Sequence, residues 1–364
     1  MLHPEMEAAW RSARPRFTKL GVDLDPNLKM FTPEQWREDD TLAFDAIPAL
    51  STDPNSAVPA ILTTMIDPQV FHVLFAPNMA AKILGEMRRG TWLDDVIMFP
   101  IAEATGETSS YGDYNENGSA GVNTNWPQRQ NYLFQVIKQY GERELERAGL
   151  ARINWVSEID IAAALALNKF LNYTYFFGVQ ALQNYGLLND PHLGASLTPA
   201  PKAAGGTAWI NSSGVPVATA NEVYTDIQTL FNQLVVQSGG LVTQETPMVL
   251  AMSPSSGVAL TNTNSFNVNV EDLLKKNFKN IRLEKAVQYG VLSAANPQGV
   301  AAGNFVQLIA PEIEGQKTGF CAYSEKLKSH PIIRLMSAFR QKQTAGSWGA
   351  VLRATFPIAS MVGV

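Results

Sequence analysis

Residues 157–185, SEIDIAAALALNKFLNYTYFFGVQALQNY, hold an apolar period from end to end and run into Gly186-Leu187-Leu188-Asn189-Asp190-Pro191. Ile159, Ala162, Ala163, Ala166, Phe170, Tyr173, Phe177 and Ala181 recur at helical spacing, and Asn168, Lys169 and Asn172 leave a narrow polar strip. Ser157 with Asp160 three residues on resembles a capping box, with Asp in place of Glu or Gln. Gly186 suits a C-cap and Pro191 prevents continuation, whereas Gly178 is an interior weak point costing about 1 kcal/mol relative to alanine. One helix over this stretch would be roughly 40 Å long, enough to cross a domain. It does not suit a bilayer, because Asp160, Asn168, Lys169 and Asn172 would all lie in hydrocarbon.

The surroundings decide what such a helix belongs to. The chain has 364 residues, enough for one large domain or two smaller ones. Hydrophobic residues make up 46 %, but charged residues only 17 %, below the usual quarter. A surface poor in charge suits burial against partner subunits, since interface centres are depleted in charged residues. A net charge of −5 and a pI near 5.5 argue against a dedicated nucleic-acid binder. Cys321 is the one cysteine, so an intrachain disulfide and a thiolate metal cluster are excluded; it suits a buried structural role in a reducing compartment. The first residues lack the apolar core of a secretory signal, so the Asn-x-Ser/Thr patterns at Asn117, Asn172 and Asn211 carry no glycosylation argument.

Residues 1–67 are expected to form an extended arm. Pro4, Pro15, Pro26, Pro33, Pro48, Pro54 and Pro59 interrupt every helical period, while Trp10, Phe17, Leu20, Leu28, Met30, Phe31 and Trp36 are too apolar for a solvated tail. Arg11, Arg14 and Arg16 form a small basic cluster. Residues 77–89 are predicted as a short helix. Residues 94–137 are predicted as a long projecting hairpin, with 96–99 and 132–137 as its paired strands and a Gly-, Asn- and Ser-rich stretch between. A charged helix at 142–148, a second amphipathic helix at 221–237 and a helix at 270–278 follow. Strands are expected at 248–252, 281–283 and 305–309, with a last hairpin from 332–339 and 350–358 turning at Gly346/Gly349. The alternation predicts an α+β layout.

The chemistry-bearing motifs are weak. Asp113-Tyr-Asn115-Glu-Asn117-Gly118 matches the first half of a calcium loop, but Thr124 stands where a bidentate Glu belongs, and an Asn/Gly turn explains the same residues. Gly315-Gln316-Lys317-Thr318 lacks the glycines of a phosphate loop. His3, His72, His192 and His330 are isolated, and Asp94-Asp95 suit a solvated turn. No catalytic, cofactor-binding or metal-binding residues are assigned.

In order of parts, the chain resembles the major capsid proteins of tailed bacteriophages with the Hong Kong 97-type fold. It has a proline-punctuated arm, a long hairpin, a charged helix, a long apolar helix leaving through Gly186-Leu187-x-Asn189-x-Pro191, an α+β body and returning strands. The resemblance implies an N-arm at 1–67 and an extended loop at 94–137. It implies a peripheral domain from 68–93, 138–220 and 331–364 that contains a spine helix at 157–185, and an axial domain at 221–330. It also implies assembly through pentamers and hexamers into an icosahedral virion head around double-stranded DNA, in the host bacterial cytoplasm, without membrane, cofactor or enzymatic activity. Separate scaffolding, portal and decoration proteins are the further partners implied. Some family members cross-link through a lysine in the extended loop; no lysine lies between Lys82 and Lys138 here, so non-covalent contacts are expected instead. Glu103, Glu107, Asp113 and Glu116 make the loop acidic and are expected to meet basic groups of a neighbour, with Arg11, Arg14 and Arg16 as candidates. An encapsulin-type compartment and a soluble α+β enzyme are the alternatives.

Overall fold

A computed structural model describes residues 78–364 other than Arg152 and Ala295; the predicted arm, with Arg11, Arg14 and Arg16, lies outside the described residues, as do His3 and His72. The described chain opens on helix α1 (Ala80–Leu84), which stops at Gly85 and gives way to strand β1 (Glu86–Arg88) where helix was predicted. A ribbon follows, made of β2 (Val96–Met98), β3 (Ile101–Glu107), β4 (Ser119–Asn125) and β5 (Gln128–Gln130). Then come β6 (Tyr132–Gly141), the charged helix α2 (Glu142–Leu150) and the long helix α3 (Trp155–Phe177). Helix α4 (Ala220–Gln237), strand β7 (Met248–Met252), helix α5 (Val270–Asn277) and strands β8 (Ile281–Lys285) and β9 (Phe305–Ile309) lie close to their predicted positions. The chain closes with β10 (Glu312–Ile313), β11 (Gln316–Lys317), β12 (Gly319–Ser329), β13 (Ile333–Arg334), β14 (Ala338–Leu352) and β15 (Ile358–Val362).

The long helix is real but shorter than predicted. Its 23 residues span roughly 35 Å. It is capped by the Asn154 side chain, which accepts from the Ser157 N–H at 3.4 Å, and Asp160 pairs with buried Lys138 of β6 instead of closing a capping box. At the other end Gly178, at φ 62°, stops the helix eight residues before the predicted cap at Gly186. The chain then doubles back on the last turn. The Leu187 N–H donates to the Tyr175 carbonyl at 2.8 Å and the Leu188 N–H to that of Phe176 at 3.0 Å. Asn189 accepts from the Gly186 N–H at 2.7 Å and donates to the Phe177 carbonyl at 2.5 Å. The exit Gly-Leu-x-Asn thus satisfies carbonyls that a helix end leaves without partners. Gly186 is obligatory for proximity, since a Cβ there would lie 2.2 Å from the Phe176 backbone.

The phase of the helix also differs. Ala163, Leu167, Leu171, Tyr175 and Phe176 are buried, whereas Ala162, Ala166, Phe170 and Tyr173 of the predicted inner face are exposed. Asn172 of the predicted polar strip is buried and accepts from the Ala80 N–H at 3.2 Å, which seats α1 on the helix. Apolar side chains surround α3 on every side, so periodicity alone does not select which stripe faces the core.

Two sheets hold the body together. In the first, β14 is central: it pairs antiparallel with β12 and β13 and, through Ala338↔Gly141 to Ser347↔Tyr132, with β6; β1 adds parallel to β12. The predicted pairing of 96–99 with 132–137 is therefore not made; β2 pairs with β5, and β6 belongs to this sheet. Nor do Gly346 and Gly349 form a turn. Gly349, at φ 75°, sits where the β12–β14 register shifts, so it carries a bulge, and a Cβ on Gly346 would meet the Ser324 hydroxyl at 2.2 Å. Helix α3 covers one face of this sheet, and Phe320, Ala322, Trp348 and Val351 form a smaller core on the other, joined by Phe99.

The second sheet runs β15-β9-β7-β8, with β7 and β8 parallel and the other pairs antiparallel. Helices α4 and α5 cover one face, burying Val223, Ile227, Leu230, Leu234 and Leu274 against Met248, Leu250, Met252 and Leu308. Val249, Ala251 and Ile309 on its other face share a core with Leu171, Phe176, Leu187 and Cys321. Two segments cross the division implied at residues 221–330: β12 lies in the first sheet, and β15 completes the second.

Candidate functional site

The ribbon at residues 94–131 is built in two parts with opposite properties. Its root is anchored. Phe99 is buried edge-on against Phe320, at 6.0 Å between ring centres, and its N–H donates to the Pro127 carbonyl. Asn131 donates to the Asp94 carbonyl and to the Ser324 hydroxyl, each at 3.1 Å. Asp94 accepts from the Thr91 N–H and hydroxyl, so it caps a turn. Gln130 and Gln183 exchange hydrogen bonds, and Asn184 donates to the carbonyls of Gln130 and Ser347. At the centre, buried Arg129 donates to Asp190 at 3.0 Å and lies 4.9 Å over the Tyr185 ring. The root is thus held by the loop that leaves α3.

Beyond the root the ribbon is free of the body. Every residue of β4, and all of β3 after Ile101, is exposed. Cross-strand register puts Glu103↔Asn123, Thr105↔Gly121 and Glu107↔Ser119 on one face and Ala102↔Thr124, Ala104↔Val122 and Gly106↔Ala120 on the other. One face is polar and acidic; the other is small and apolar. At the tip Tyr111 is 93 % and Tyr114 100 % exposed. Asn115 accepts from the Asn117 N–H and donates to the Ser110 carbonyl, so the half-matched calcium pattern forms a side-chain-stabilised turn. Thr124, its twelfth position, sits in β4 opposite Ala102.

Of the residues assigned to contacts, Glu103, Glu107, Asp113 and Glu116 all lie exposed on this ribbon, and none forms an ion pair among the described residues. Among the described residues Asp113 accepts only from the Tyr111 hydroxyl, at 2.8 Å. The root residues Arg129 and Asn131 are absent from the sequence reading, and Asp190 enters it only as part of the helix exit. Asn189-Asp190-Pro191 signalled a helix exit, but nothing local linked Asp190 to an arginine 61 positions earlier.

Other candidate chemistry stays dispersed. His192 contacts Asp190, and His330 contacts Thr344 and the edge of Trp92. Cys321 is fully buried, and burial, then Glu86, push its thiol well above the ordinary range. Among the described residues no group of three or more His, Cys, Asp or Glu is placed to hold a metal, and no helix is long and apolar enough to cross a membrane.

A family model described as Pa193 gp26 major capsid protein matches residues 49–363. The chain belongs to this major capsid protein family. Among solved structures, the capsid of Myoviridae phage XM1 is similar at a TM-score of 0.65 and 14 % identity, covering 84 % of this chain and 99 % of that one. The capsid of cyanophage P-SCSP1u is similar at 0.55 and 10 % identity, over 83 % and 92 % of the two chains. The capsid of the native GTA particle is similar at 0.54 and 8 % identity, over 86 % and 99 %. Among curated proteins none matches. The fold of this capsid protein is the Hong Kong 97 type of tailed-phage capsids, an α+β fold with a projecting ribbon and a long helix, as the resemblance implied.

Proposed function

We propose that this capsid protein assembles through rings of five and six copies into an icosahedral head around double-stranded DNA, in the cytoplasm of a bacterial host and without catalysis. Separate scaffolding, portal and decoration proteins complete the proposal. The observation that carries it is the ribbon. A two-stranded ribbon in water is marginal at best, and this one presents an apolar face and two exposed tyrosines with no body beneath them. A neighbouring copy supplies the missing surface. The exposed stripe of α3, with Ile161, Leu165, Phe170 and Tyr173, supports further contacts of the same kind.

In this reading residues 1–67 are an arm, 94–137 an extended loop and α3 a spine. The hydrogen bonding supports grouping β1, β6, β12 and β14 with the spine as a peripheral part, and β7, β8, β9 and β15 with α4 and α5 as an axial part. The ribbon carboxylates Glu103, Glu107, Asp113 and Glu116 meet basic groups of a neighbour.

The test is expression of the full chain, with sizing and electron microscopy of the product. Regular shells of megadalton size are expected. A discrete monomer or small oligomer under all assembly conditions, scaffold included, would contradict the reading. Nucleic acid inside the shells separates a virus head from an encapsulin-type compartment, which would carry protein cargo.

A further inference from the structure

Beside the root of the ribbon lies a cleft of about 750 Å³ between Ile101, Phe356 and the β10–β11 hairpin. Its floor is Phe320, and two guanidiniums lie against that ring, Arg89 at 5.4 Å and Arg353 at 5.3 Å. Stacking on an aromatic face fixes a guanidinium in its plane and leaves its N–H edge to accept a planar anion. Lys317 adds a third cation at the rim, against a single acid, Glu314, on the lining. Among the described residues none of the three cations pairs with a carboxylate, and the Nε of Arg89 is buried without a hydrogen-bond partner. Three cations against one acid leave the cleft with an excess of positive charge.

We infer that this cleft receives the acidic ribbon of a second copy of the chain, with Arg89, Arg353 and Lys317 pairing its Glu103 and Glu107. The inference rests on the assembly reading and names the surface through which it works. The chain's own ribbon does not fill it, because Glu103 and Glu107 line no part of the cleft and pair with none of its cations. Charge is complementary on the two sides. The apolar walls suit the alanine and valine face of the ribbon, whereas a nucleic-acid backbone would meet a basic surface without them. Ribbon and cleft lie on different parts of the chain, so each copy gives its ribbon to the next. Such a head-to-tail contact closes into a ring when its rotation allows.

The experiment compares the full chain with Arg89→Glu/Arg353→Glu, with Glu103→Arg/Glu107→Arg, and with all four changes in one chain. Lys317→Glu, on exposed β11, makes a cleft reversal that does not touch Phe320. Melting curves of the unassembled chains confirm folding, and sedimentation velocity with electron microscopy reads the assembled fraction. Each one-sided reversal, Lys317→Glu included, lowers that fraction by roughly tenfold or more, and the four-fold exchange restores it. Cleft variants that assemble at wild-type yield, or folded one-sided variants that the exchange fails to rescue, would overturn the inference while the assembly reading stands. Normal shells that retain less DNA would overturn it in favour of a nucleic-acid groove. A wild-type chain that forms neither rings nor shells would overturn both.

Discussion

Arg129 and Asp190 set how the ribbon leaves the body. Both side chains are almost fully buried, and each also contacts a third group, the Tyr185 ring for Arg129 and His192 for Asp190. Replacing one partner of a buried pair leaves the other charge uncompensated, which typically costs about 3–5 kcal/mol. Asp190→Ala is accordingly expected to destabilise the chain by that order in denaturant melts. It should also speed hydrogen exchange at Gln130 and Asn131. An exchange pattern unchanged at the root would remove Arg129 from its positioning role. A milder, pH-dependent effect belongs to Glu222, whose carboxylate closes the capping box of α4. The N–H groups of Thr219 and Ala203 and the Thr219 hydroxyl hold its pKa below the ordinary glutamate value. A folded value below the unfolded one adds stability above the unfolded value, and that stability is lost as pH falls through the folded value. The melting temperatures of the wild type and Glu222→Ala should therefore differ most near neutrality and converge in acid. A gap that stayed constant would mean the cap works without its charge.

Elements differ in how much of them the residues alone reveal. Helix α4 is legible from its one unambiguous buried side, Val223, Ile227, Leu230 and Leu234, and strands β7 and β9 from their short, mostly apolar runs, which are buried on both faces. The ribbon was legible as a projection from its Gly-, Asn- and Ser-rich middle, but its root pairing was not. Val96–Met98 pairs with Gln128–Gln130, a segment without strand-forming residues, because long-range contacts to Gln183 and Asp190 hold it there. Helix α3 was placed correctly and rotated wrongly, since an all-round apolar helix leaves its phase to tertiary packing. Its end is not legible because Gly178 and Gly186 look alike in sequence; the returning chain crowds both, and only Gly178 takes the φ of 62° that stops the helix. Gly186→Ala is expected to cost roughly 3 kcal/mol by overpacking that approach, measured by thermal or denaturant melts. The two ribbon faces also make separate predictions. Val122→Asp, on the apolar face, should reduce assembly with no change in the melting of the unassembled chain. Ser119→Asp, on the already acidic face, should reduce it less. Equal effects would show that the faces do not differ in burial between copies.

The described residues couple a packed body to a projecting ribbon. Leu171, Phe176, Leu187, Val249, Ile309 and Cys321 form one core shared by the long helix and both sheets, to which the ribbon beyond its root adds nothing. The ribbon meets its own body only at the root. The partner surface proposed for it is another copy of this major capsid protein. The order of parts carried this much in sequence. The basic cleft did not show there, because Arg89, Lys317 and Arg353 are scattered along the chain and are gathered by β1, β11 and the end of β14. The central claim is that the ribbon beyond its root drives assembly and contributes nothing to folding. Ile101 and Asn125 face each other across the ribbon, so residues 102–124 can be replaced by an Asn-Gly turn without disturbing the root. Sedimentation velocity of that chain beside the wild type is the decisive measurement. The shortened chain is expected to melt at the wild-type temperature as an unassembled species while the wild type forms shells; shells at wild-type yield from the shortened chain would contradict the account.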